Sequence, residues 1–511
     1  MPNTAPTSLT KILATLGPAT DDEQALRRLL ENGARAFRLN FSHGDFDSHL
    51  DRLRMIRRLS DATGHALAIV GDLQGPKIRV GKLPDGGVEI PAGSEIIFKE
   101  APDHIDGEDA RVLPCTYAPL VDEVQAGHRV LINDGAIRTL AVETVDLGSG
   151  RRGLRCCVMV GGLVTTGKGI NLPDSDISAP AITERDWECV EWAVENGIDF
   201  LALSFVRNAG DVRMLQQRLA ELTGSGDAAQ TRCNTPATKI PVIAKIEKPQ
   251  AVENIDEILQ EADLLMVARG DLGVEMDLAV VPATQKHLIA RAHAYGKPAI
   301  VATQMLESMI TNASPTRAEV SDVANAIYDG ADIVMLSGET AVGAHGDMAV
   351  DTMRRIAIET ERRLLESPRR QPRISSKLVE SKNRLSALAH GAFYVVHDAD
   401  ARIVAVWSES GDAAQLLSQI GLRIEILAFT TEPRVANRMA LCAGVTPILR
   451  RAAPEHRSDF DTLVDRHILE NGLGDTGDRV VVLAGKPLGS AGAVNTISLH
   501  TIGGDEYCEM S

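Results

Sequence analysis

The sequence has 511 residues and a mass of 54.8 kDa, which is too long for one compact domain and predicts about two to four. Its 53 basic and 70 acidic residues give a net charge of −17, which argues against a general binder of nucleic acid or anionic membranes. A small anionic ligand remains compatible with this charge, because a pocket can be locally positive on an acidic molecule.

Targeting and redox features favour the cytoplasm. No apolar run approaches the ~18 residues that a membrane span needs. The first residues, MPNTAPTSLTKI, lack the charged-then-apolar order of a signal peptide. The seven cysteines form no CxxC pair, which is typical of a reducing compartment and not of a disulfide framework. We therefore expect a cytoplasmic protein with no membrane or nucleic-acid partner.

Short apolar segments alternate with helix-like segments such as DDEQALRRLLENG through much of the chain. Each apolar segment has the nearly continuous pattern of a buried parallel strand. These segments are residues 11–17, 36–42, 66–73, 200–206, 241–247, 262–268, 298–304 and 331–338. Eight such units predict a (β/α)8 barrel, which needs about 250 residues. An open doubly wound sheet is the structural alternative.

The interval between the third and fourth apolar segments predicts an inserted domain. It is rich in Gly and Pro and carries short alternating strands such as GVEIPAGSEIIFKE, an all-β pattern that would cover the mouth of the barrel. After the barrel, a basic, Pro-containing segment indicates a linker, and the alternation that follows predicts an open α/β domain. The predicted domains are a discontinuous barrel (1–75 and 176–365), a β-barrel lid (76–175) and a C-terminal α/β domain (366–511).

Polar residues follow several predicted strands, where a barrel carries its catalytic groups. Strand two ends in RLNFSHG, and alternation places Arg38, Asn40 and Ser42 on one face, which suits an anion with a monovalent cation nearby. Strand five ends in AKIEK, so Lys245 and Glu247 share a face. A buried ammonium and carboxylate are costly unless they are paired or used. A surface arginine and a structural ion pair are the alternatives to a functional site.

The last three barrel strands also end in polar residues. Strand six ends in VARGDLG, where we expect Asp271 in a tight turn that lets it bind Mg²⁺ together with Glu247. Gly270 would let backbone amides approach a carboxylate or phosphate closely. Strands seven and eight end at Thr303 and Ser337, whose hydroxyls could bind substrate or relay a proton. A structural role is equally compatible with each hydroxyl taken singly.

Two further patterns suggest phosphate binding. GLVTTGK imitates the start of a P-loop, but Gly169 stands where that loop needs Ser or Thr and no helix follows. Lys168 is therefore kept only as a candidate phosphate contact on a Gly-rich segment. In the last domain, SGDAAQLL puts Ser410 and Gly411 at a strand-to-helix turn that could bind phosphate, although Asp412 opposes an anion there.

Together these segments resemble the pyruvate kinase family over nearly the full length of the chain. The motifs, in family order, are KILATLGPAT, RLNFSHG, GDLQGPKIRVG, GKGINLP, IAKIEKPQAVENIDEIL, LMVARGDLGVE, ATQMLESM and PTRAEVSDVANAIYDGADIVMLSGETA. The resemblance implies transfer of the phosphoryl group of phosphoenolpyruvate to ADP, giving pyruvate and ATP. It also implies a (β/α)8 barrel with an inserted lid and a C-terminal α/β domain, usually assembled as a homotetramer.

The resemblance also implies roles for individual residues. Arg38 and Lys245 would hold the transferring phosphoryl group, and Ser337 resembles a candidate in a proton relay to the enolate. The resemblance implies that Glu247 and Asp271 bind Mg²⁺ or Mn²⁺. Substrate contacts are implied for Arg38, Lys245, Gly270, Asp271, Thr303 and Ser204. Nucleotide contacts are implied for Pro18, His43, Arg79 and Lys168. Arg317, in PTRAE, resembles the residue that approaches the neighbouring subunit's active site.

Lys77, in GDLQGPKIR, departs from the family pattern, because many members carry Glu at this position. In those members, the residues that match Asn40, Ser42, Asp72 and the backbone carbonyl of Leu73 resemble a K⁺ site. A lysine ammonium can supply the missing positive charge internally. We therefore expect an enzyme that does not require K⁺.

Two loops depart from the family as well. Effector-binding members usually carry a hydroxyl or basic residue where the loop SESGDAA has its aspartate. The candidate contacts for a sugar-phosphate or nucleotide effector are Ser408, Ser410, Gly411 and Lys486, and the sequence leaves the identity of the effector open. The loop 223–239 is longer than the family usually carries and, being polar, is predicted to be a surface insertion.

Two other functions are compatible with parts of this pattern. A barrel lyase or aldolase that acts on pyruvate or phosphoenolpyruvate with Mg²⁺ could share the paired carboxylates. It would have no use for Arg79, Lys168 or a lid that covers a nucleotide. A non-catalytic homologue that binds metabolites is the second alternative, and the intact charge cluster around Lys245 argues against it.

Overall fold

The computed structural model describes residues 8–100, 111–148, 150–224, 239–366, 372, 373, 375–485 and 488–504. The strands are β1 Lys11–Thr15, β2 Ala34–Asn40, β3 Ala68–Asp72, β4 Val88–Ile90, β5 Glu95–Glu100, β6 Val112–Cys115, β7 Arg129–Ile132, β8 Ile137–Gly148, β9 Arg151–Val160, β10 Gly162–Val164, β11 Ile170–Asn171, β12 Phe200–Leu203, β13 Val242–Ile246, β14 Leu264–Ala268, β15 Ala299–Ala302, β16 Ile333–Leu336, β17 Ile403–Trp407, β18 Glu425–Thr430, β19 Val445–Leu449, β20 Arg479–Gly485 and β21 Val494–Thr501. The α-helices are α1 Glu23–Glu31, α2 Phe46–Thr63, α3 Leu120–Glu123, α4 Glu184–Glu195, α5 Ala209–Leu222, α6 Pro249–Glu253, α7 Ile255–Glu261, α8 Arg269–Glu275, α9 Val281–Ala294, α10 Arg317–Asp329, α11 Gly338–Ala341, α12 Gly346–Leu365, α13 Ser376–Glu380, α14 Arg384–Asp398, α15 Asp412–Gln419, α16 Pro433–Met439 and α17 Arg457–Asn471.

Eight parallel strands close into a barrel in the order β1, β16, β15, β14, β13, β12, β3 and β2. Every one of the eight apolar segments in the sequence contributes one of these strands. The predicted (β/α)8 barrel is therefore confirmed, and the open doubly wound sheet is wrong for this part of the chain. Because the strands are parallel, their carboxyl ends, where the predicted polar residues lie, meet at one mouth.

The opposite end of the barrel is closed by the C-terminal domain. Ala440 and Leu441, which follow α16, belong to the same buried cluster as the side chains that fill the inside of the barrel. Lys11, the first residue of β1, donates from Nζ to the carbonyl of Val445 at 2.8 Å. Burial lowers the pKa of Lys11 to about 8, and the charge of Arg35 acts in the same direction. The two domains thus share buried polar and apolar contacts at the amino ends of the strands.

Between β3 and β12 the chain forms the predicted β structure. One sheet has six strands in the order β11, β7, β8, β9, β5 and β6, and β10 pairs with β4 in a second sheet. These strands enclose an apolar cluster of their own, which includes Ile96, Phe98 and Val130. Within the described residues of the segment 76–175, the one α-helix is the short α3. The boundaries of the lid at 76 and 175 stay predictions.

The C-terminal sheet has five strands in the order β19, β18, β17, β20 and β21. The first four strands are parallel, which confirms the predicted open α/β fold. The sequence does not predict β21, which runs antiparallel to β20. β21 is an edge strand with few buried side chains, so it lacks the apolar run that marks the other four. Within the described residues, no helix is both long enough and apolar enough to cross a membrane.

Candidate active site

Lys245, on β13, is the centre of the charge cluster at the barrel mouth. Its Nζ lies 3.1 Å from Asp72 Oδ1 and 3.0 Å from Glu247 Oε1, and it donates to Ser204 Oγ at 2.6 Å. All four side chains are buried. Burial alone would lower the pKa of Lys245, but the charges of Asp72 and Glu247 raise it above its ordinary value. The ammonium is therefore charged at physiological pH.

Asp72 joins a second cation to this cluster. Arg38 donates from Nε to Asp72 Oδ2 at 2.6 Å, and its NH1 group donates to Thr15 Oγ1 at 3.2 Å. Burial would raise the pKa of Asp72, but Lys245 and Arg38 lower it overall. One carboxylate therefore holds two cations side by side, which is an arrangement suited to an anion with several charged oxygens.

Glu247 and Asp271 supply carboxylates at the same mouth. Glu247 follows β13, and its Oε2 accepts the backbone N–H of Phe205 at 2.6 Å. Burial raises the pKa of Glu247; Lys245 opposes this effect, and the charge of Asp271 adds to it. Asp271 lies in the first turn of α8 and not in the expected tight turn, because the helix begins directly after β14.

The donor set fits a divalent cation. No group of three or more His, Cys, Asp or Glu side chains that could hold a metal occurs in the described ranges. Mg²⁺ is usually bound by one or two carboxylates, with water and substrate oxygens as its remaining ligands. The repulsion between Glu247 and Asp271 would be relieved by a cation between them. These two residues therefore fit a metal that is completed by substrate.

Thr303 and Ser337 lie at the ends of β15 and β16, as the sequence predicts. Gly270 donates its N–H to Thr303 Oγ1 at 2.7 Å, and the Thr303 hydroxyl donates to the carbonyl of Ala302 at 2.6 Å. Thr303 has a φ of 69°, in the left-handed region, which a threonine rarely adopts. Ser337 donates its N–H to Glu339, whereas its buried Oγ has no hydrogen-bond partner within the described part of the chain.

The predicted nucleotide contacts come from the barrel and from the lid. Pro18 begins a short 3₁₀-helix after β1, and His43 is exposed in the turn after β2. Arg79 donates from NH1 to the carbonyl of Gly167 at 2.9 Å, and the carbonyl of Lys168 accepts the N–H of Val80 at 2.8 Å. Arg79 and Lys168 therefore lie on adjacent segments of the lid, as predicted.

The structure brings together the residues that match the monovalent-cation site. Asn40 and Asp72 are register partners in β2 and β3. Ser42 donates its N–H to Asn40 Oδ1 at 3.2 Å, and Ser204 donates from Oγ to the carbonyl of Leu73 at 2.7 Å. These oxygen-bearing groups thus lie on neighbouring strand ends close to Asp72.

Lys77 lies further out. It is exposed and lines the cleft between lid and barrel together with Asp134 and Asp271. Its Cε lies 3.5 Å from the position that a Cβ on Gly169 would occupy, so the side chain extends towards the lid. Among the described residues no ion pair links Lys77 to Asp72. The ammonium is therefore near the mouth without contacting the residues of the predicted cation site.

The C-terminal loop places its predicted effector contacts at the carboxyl ends of the parallel strands. Ser408 is buried, and Ser410 donates from Oγ to Asp412 Oδ2 at 3.0 Å. Gly411 precedes α15 with a φ of 85°, a conformation that favours glycine. Lys486, the fourth predicted contact, lies outside the described residues.

Glu409 is a residue of this loop that sequence reasoning missed. Its Oε2 accepts from the hydroxyl of Thr430 and from the N–H and hydroxyl of Thr431, each at 3.0 Å, and its Oε1 accepts from Trp407 Nε1 at 2.8 Å. The Glu409 carboxylate therefore already accepts the hydrogen bonds that Trp407, Thr430 and Thr431 donate in this loop. Glu409 is visible in the sequence as an acidic residue inside SESGDAA, but three of its hydrogen bonds come from Thr430 and Thr431, which are distant in sequence.

Two remaining predictions concern the surface. Arg317 is the first residue of α10 and is exposed. The longer loop at 223–239 lies outside the described residues except at its ends, 223, 224 and 239. The proposed roles of both segments stay predictions.

Fold and site together define the class: a (β/α)8 barrel protein with buried cations and carboxylates clustered at the mouth of the barrel. Comparison with known proteins narrows the class. The sequence model of the pyruvate kinase barrel domain matches residues 7–350, and that of the pyruvate kinase alpha/beta domain matches residues 386–500. The chain belongs to the pyruvate kinase family.

Relatives of known sequence and a solved structure are similar to this chain over nearly its whole length. The pyruvate kinase of Mycobacterium tuberculosis (strain H37Rv) is 39% identical over 509 residues, covering 97% of this chain and 99% of its own. The pyruvate kinase of Corynebacterium glutamicum is 38% identical over 510 residues, and the match covers 97% of this chain and 98% of that protein. The crystal structure of a pyruvate kinase from Cryptosporidium parvum has a TM-score of 0.85 at 32% identity, covering 97% of this chain and 96% of that one.

The activity follows from membership of this family. The chain is a pyruvate kinase enzyme of glycolysis: it transfers the phosphoryl group of phosphoenolpyruvate to ADP and yields pyruvate and ATP. Members of the family require a divalent metal ion. A lyase and a non-catalytic homologue, the two alternatives from the sequence, are therefore set aside.

The charge cluster yields a stability prediction. We expect Asp72→Ala to lower the free energy of unfolding by about 3–5 kcal/mol, because two buried cations lose their shared counter-ion. Urea denaturation would measure the loss. Asp51→Ala is the matched control, since Asp51 pairs with Arg54 on the surface at 3.9 Å. Equal effects of the two substitutions would contradict the central role of Asp72.

Proposed function

We propose that Arg38 and Lys245 hold the phosphoryl group while it leaves phosphoenolpyruvate for the terminal phosphate of ADP. The observation that carries this proposal is the buried Lys245 ammonium, which Asp72 and Glu247 keep charged at the barrel mouth. Phosphoryl transfer requires little covalent chemistry from the protein and much positioning and charge neutralisation. Two fixed cations would neutralise the equatorial oxygens of the transferring group.

For the metal we propose Mg²⁺ or Mn²⁺, held by Glu247 and Asp271. When bound, the ion would supply positive charge to the phosphoryl oxygens and orient the substrate. The protein holds the Glu247 carboxylate in place from two sides: Oε2 accepts the N–H of Phe205, and Oε1 lies 3.0 Å from Lys245 Nζ. Such partners orient a metal ligand before the metal arrives.

The carboxylate of phosphoenolpyruvate would bind to the amides of Gly270 and Asp271 and to the Thr303 hydroxyl. These groups adjoin one another, since Gly270 already donates to Thr303 Oγ1. The Ser337 hydroxyl, which has no partner among the described residues, would belong to the proton relay to the enolate. Ser204 supports the site by its hydrogen bond to Lys245. Protonation of the enolate then makes the overall reaction favourable.

The nucleotide would lie between barrel and lid. Pro18 and His43 would contact it from the barrel, and Arg79 and Lys168 from the lid. Closure of the lid would exclude water and so limit hydrolysis of the phosphoryl donor.

Lys245→Met tests the role of the buried ammonium. We expect kcat for ATP formation from phosphoenolpyruvate and ADP to fall about 10³-fold or more, the scale of removing a cation from a transferring phosphoryl group. A coupled assay measures turnover, and Mn²⁺ titration checks that metal binding persists. Lys286→Met, on the outer surface of α9, is the control and should retain wild-type turnover. Undiminished turnover of Lys245→Met would overturn the assignment.

We further propose that catalysis does not require K⁺. Lys77 supports this, because it brings a positive charge to the cleft between lid and barrel, which Asp271 also lines. A flexible lysine can carry that charge towards the site when the lid closes over it.

Lys77→Glu should create K⁺ dependence. Wild-type activity should be the same in K⁺ and in tetramethylammonium salts. The variant should lose about tenfold or more in tetramethylammonium, since an unopposed carboxylate near the site costs about 1–4 kcal/mol, and K⁺ should restore activity. Lys82→Glu makes the same charge change at an exposed position nearby and should behave as wild type. A wild-type enzyme that is nearly inactive without K⁺ would contradict the proposal.

The effector proposal concerns Ser408, Ser410 and Gly411, together with Lys486 as the sequence predicts it. Hydroxyl and amide groups at the start of α15 would bind the phosphate of a sugar-phosphate or nucleotide effector. The carboxylate of Glu409 opposes such an anion, because the donors around it are already satisfied.

A panel of sugar phosphates and nucleotides tests the loop. We expect the wild type to show little change in KM for phosphoenolpyruvate, and Glu409→Gln to respond more strongly to the same compounds. Initial-rate measurements at a substrate concentration below KM would detect either effect. If neither protein responds to any member of the panel, the proposed effector site fails for those compounds.

We also propose a cytoplasmic homotetramer. The proposal rests on the resemblance of the whole chain to its family. The exposure of Arg317 at the start of α10 is compatible with an approach to the active site of a neighbouring subunit.

A further inference from the structure

Phe205 has an unusual backbone conformation for a bulky residue. It lies just beyond β12 with a φ of 53°, in the left-handed region that a side chain with a Cβ rarely adopts. Residues held in this way persist only where the surrounding structure over-determines them, and they cluster at functional sites. In this conformation the Phe205 N–H donates to Glu247 Oε2 at 2.6 Å.

The ring of Phe205 contacts the chain where it leaves the barrel for the lid. A Cβ placed on Gly75 would lie 2.8 Å from Phe205 Cδ2 and 3.2 Å from Ser204 Cβ. Gly75 has a φ of 71°, and it immediately precedes residue 76, the first residue of the predicted lid. Its N–H, like that of Gln74, is directed at Asp186 Oδ1. The crossing to the lid is therefore packed directly on Phe205.

We propose that Phe205 is a positioning residue that couples the lid crossing at Gly75 to the orientation of the Glu247 carboxylate. The proposal rests on the proposed metal-binding role of Glu247. One oxygen of Glu247 is held by the Phe205 N–H and the other lies 3.0 Å from Lys245. A movement of Gly75 against the Phe205 ring would therefore shift the Phe205 N–H and, with it, the Glu247 carboxylate. In this proposal Phe205 acts through Glu247 and not on the reacting atoms.

The ring and the backbone of Phe205 have separable functions. Glycine would adopt this backbone conformation without steric cost and would still present an N–H. A phenylalanine is needed only for the contact with Gly75. Substitutions of Phe205 and Gly75 can therefore test the contact between the ring and Gly75 while the hydrogen bond from the Phe205 N–H to Glu247 is kept.

The first test compares two glycines with the same backbone conformation. Gly75→Ala places a methyl group against the Phe205 ring, whereas Gly64→Ala, at a φ of 70°, meets nothing within 4 Å. We expect Gly75→Ala to weaken Mn²⁺ binding by about tenfold, the scale seen when a partner of a metal ligand is disturbed. Gly64→Ala should leave it unchanged. Electron paramagnetic resonance of free Mn²⁺, without substrates, measures the dissociation constant.

The second test removes the ring. In a Phe205→Ala background, Gly75→Ala should change the dissociation constant of Mn²⁺ much less, because the ring atom at 2.8 Å is gone and Ser204 Cβ, at 3.2 Å, is the next contact. Phe205→Gly should bind Mn²⁺ at least as well as Phe205→Ala, since it keeps the N–H and relieves the backbone. Equal Mn²⁺ affinities of Gly75→Ala and Gly64→Ala would overturn the coupling, and so would an undiminished effect of Gly75→Ala in the Phe205→Ala background.

Glu247→Gln separates this proposal from the one on which it rests. If the wild type binds Mn²⁺ and Glu247→Gln binds it equally well, the proposed metal site is wrong. If Glu247→Gln abolishes binding while Gly75→Ala does not change it, only the coupling is wrong. Thermal melting shows which variants are folded, and Phe205→Leu, which keeps an apolar side chain without the ring, replaces Phe205→Ala should the latter unfold.

Discussion

An ammonium group that leaves water must find carboxylates close by, and for Lys245 these are Asp72 and Glu247. Asp72 lies on β3 and Lys245 on β13, with β12 between them in the barrel. Ser204, just beyond β12, bridges the gap by accepting from Lys245 and donating to the carbonyl of Leu73. The cluster therefore exists only when the barrel closes in this order, so the fold and the site require the same strand pairing.

This cluster also explains how an acidic protein binds anions. The net charge of −17 describes the whole chain, whereas Arg38 and Lys245 concentrate positive charge at one mouth. Asp72 allows them to lie side by side because it offsets part of their mutual repulsion. Arg79 and Lys168 extend the positive region onto the lid, where a polyphosphate would meet it. The distribution of charge at the site thus matters more for an anion than the net charge of the chain.

Much of this arrangement could be predicted from the sequence. Continuous apolar runs mark buried parallel strands, and polar residues at their ends mark the mouth, so the sequence predicts that Lys245, Glu247 and Thr303 lie there, while their roles stay predictions. What could not be predicted depends on contacts between distant segments. The helical position of Asp271 follows from how α8 meets β14, and the hydrogen bond from Phe205 to Glu247 depends on a left-handed backbone conformation that no residue type indicates.

The chain connects lid and barrel a second time, and this connection also contacts residues next to the carboxylates proposed to bind the metal. Asn171, on β11, donates from Nδ2 to Glu275 Oε1 at 2.9 Å, and Lys248 lies 3.5 Å from the other oxygen of Glu275. Glu275 ends the helix whose first turn carries Asp271, and Lys248 follows Glu247 in sequence. Because such coupling is reciprocal in free energy, a lid position that favours the metal-binding geometry must itself be favoured when the metal binds. Both crossings thus contact residues next to the carboxylates, and a barrel–lid connection of this kind ties water exclusion to the assembly of the site.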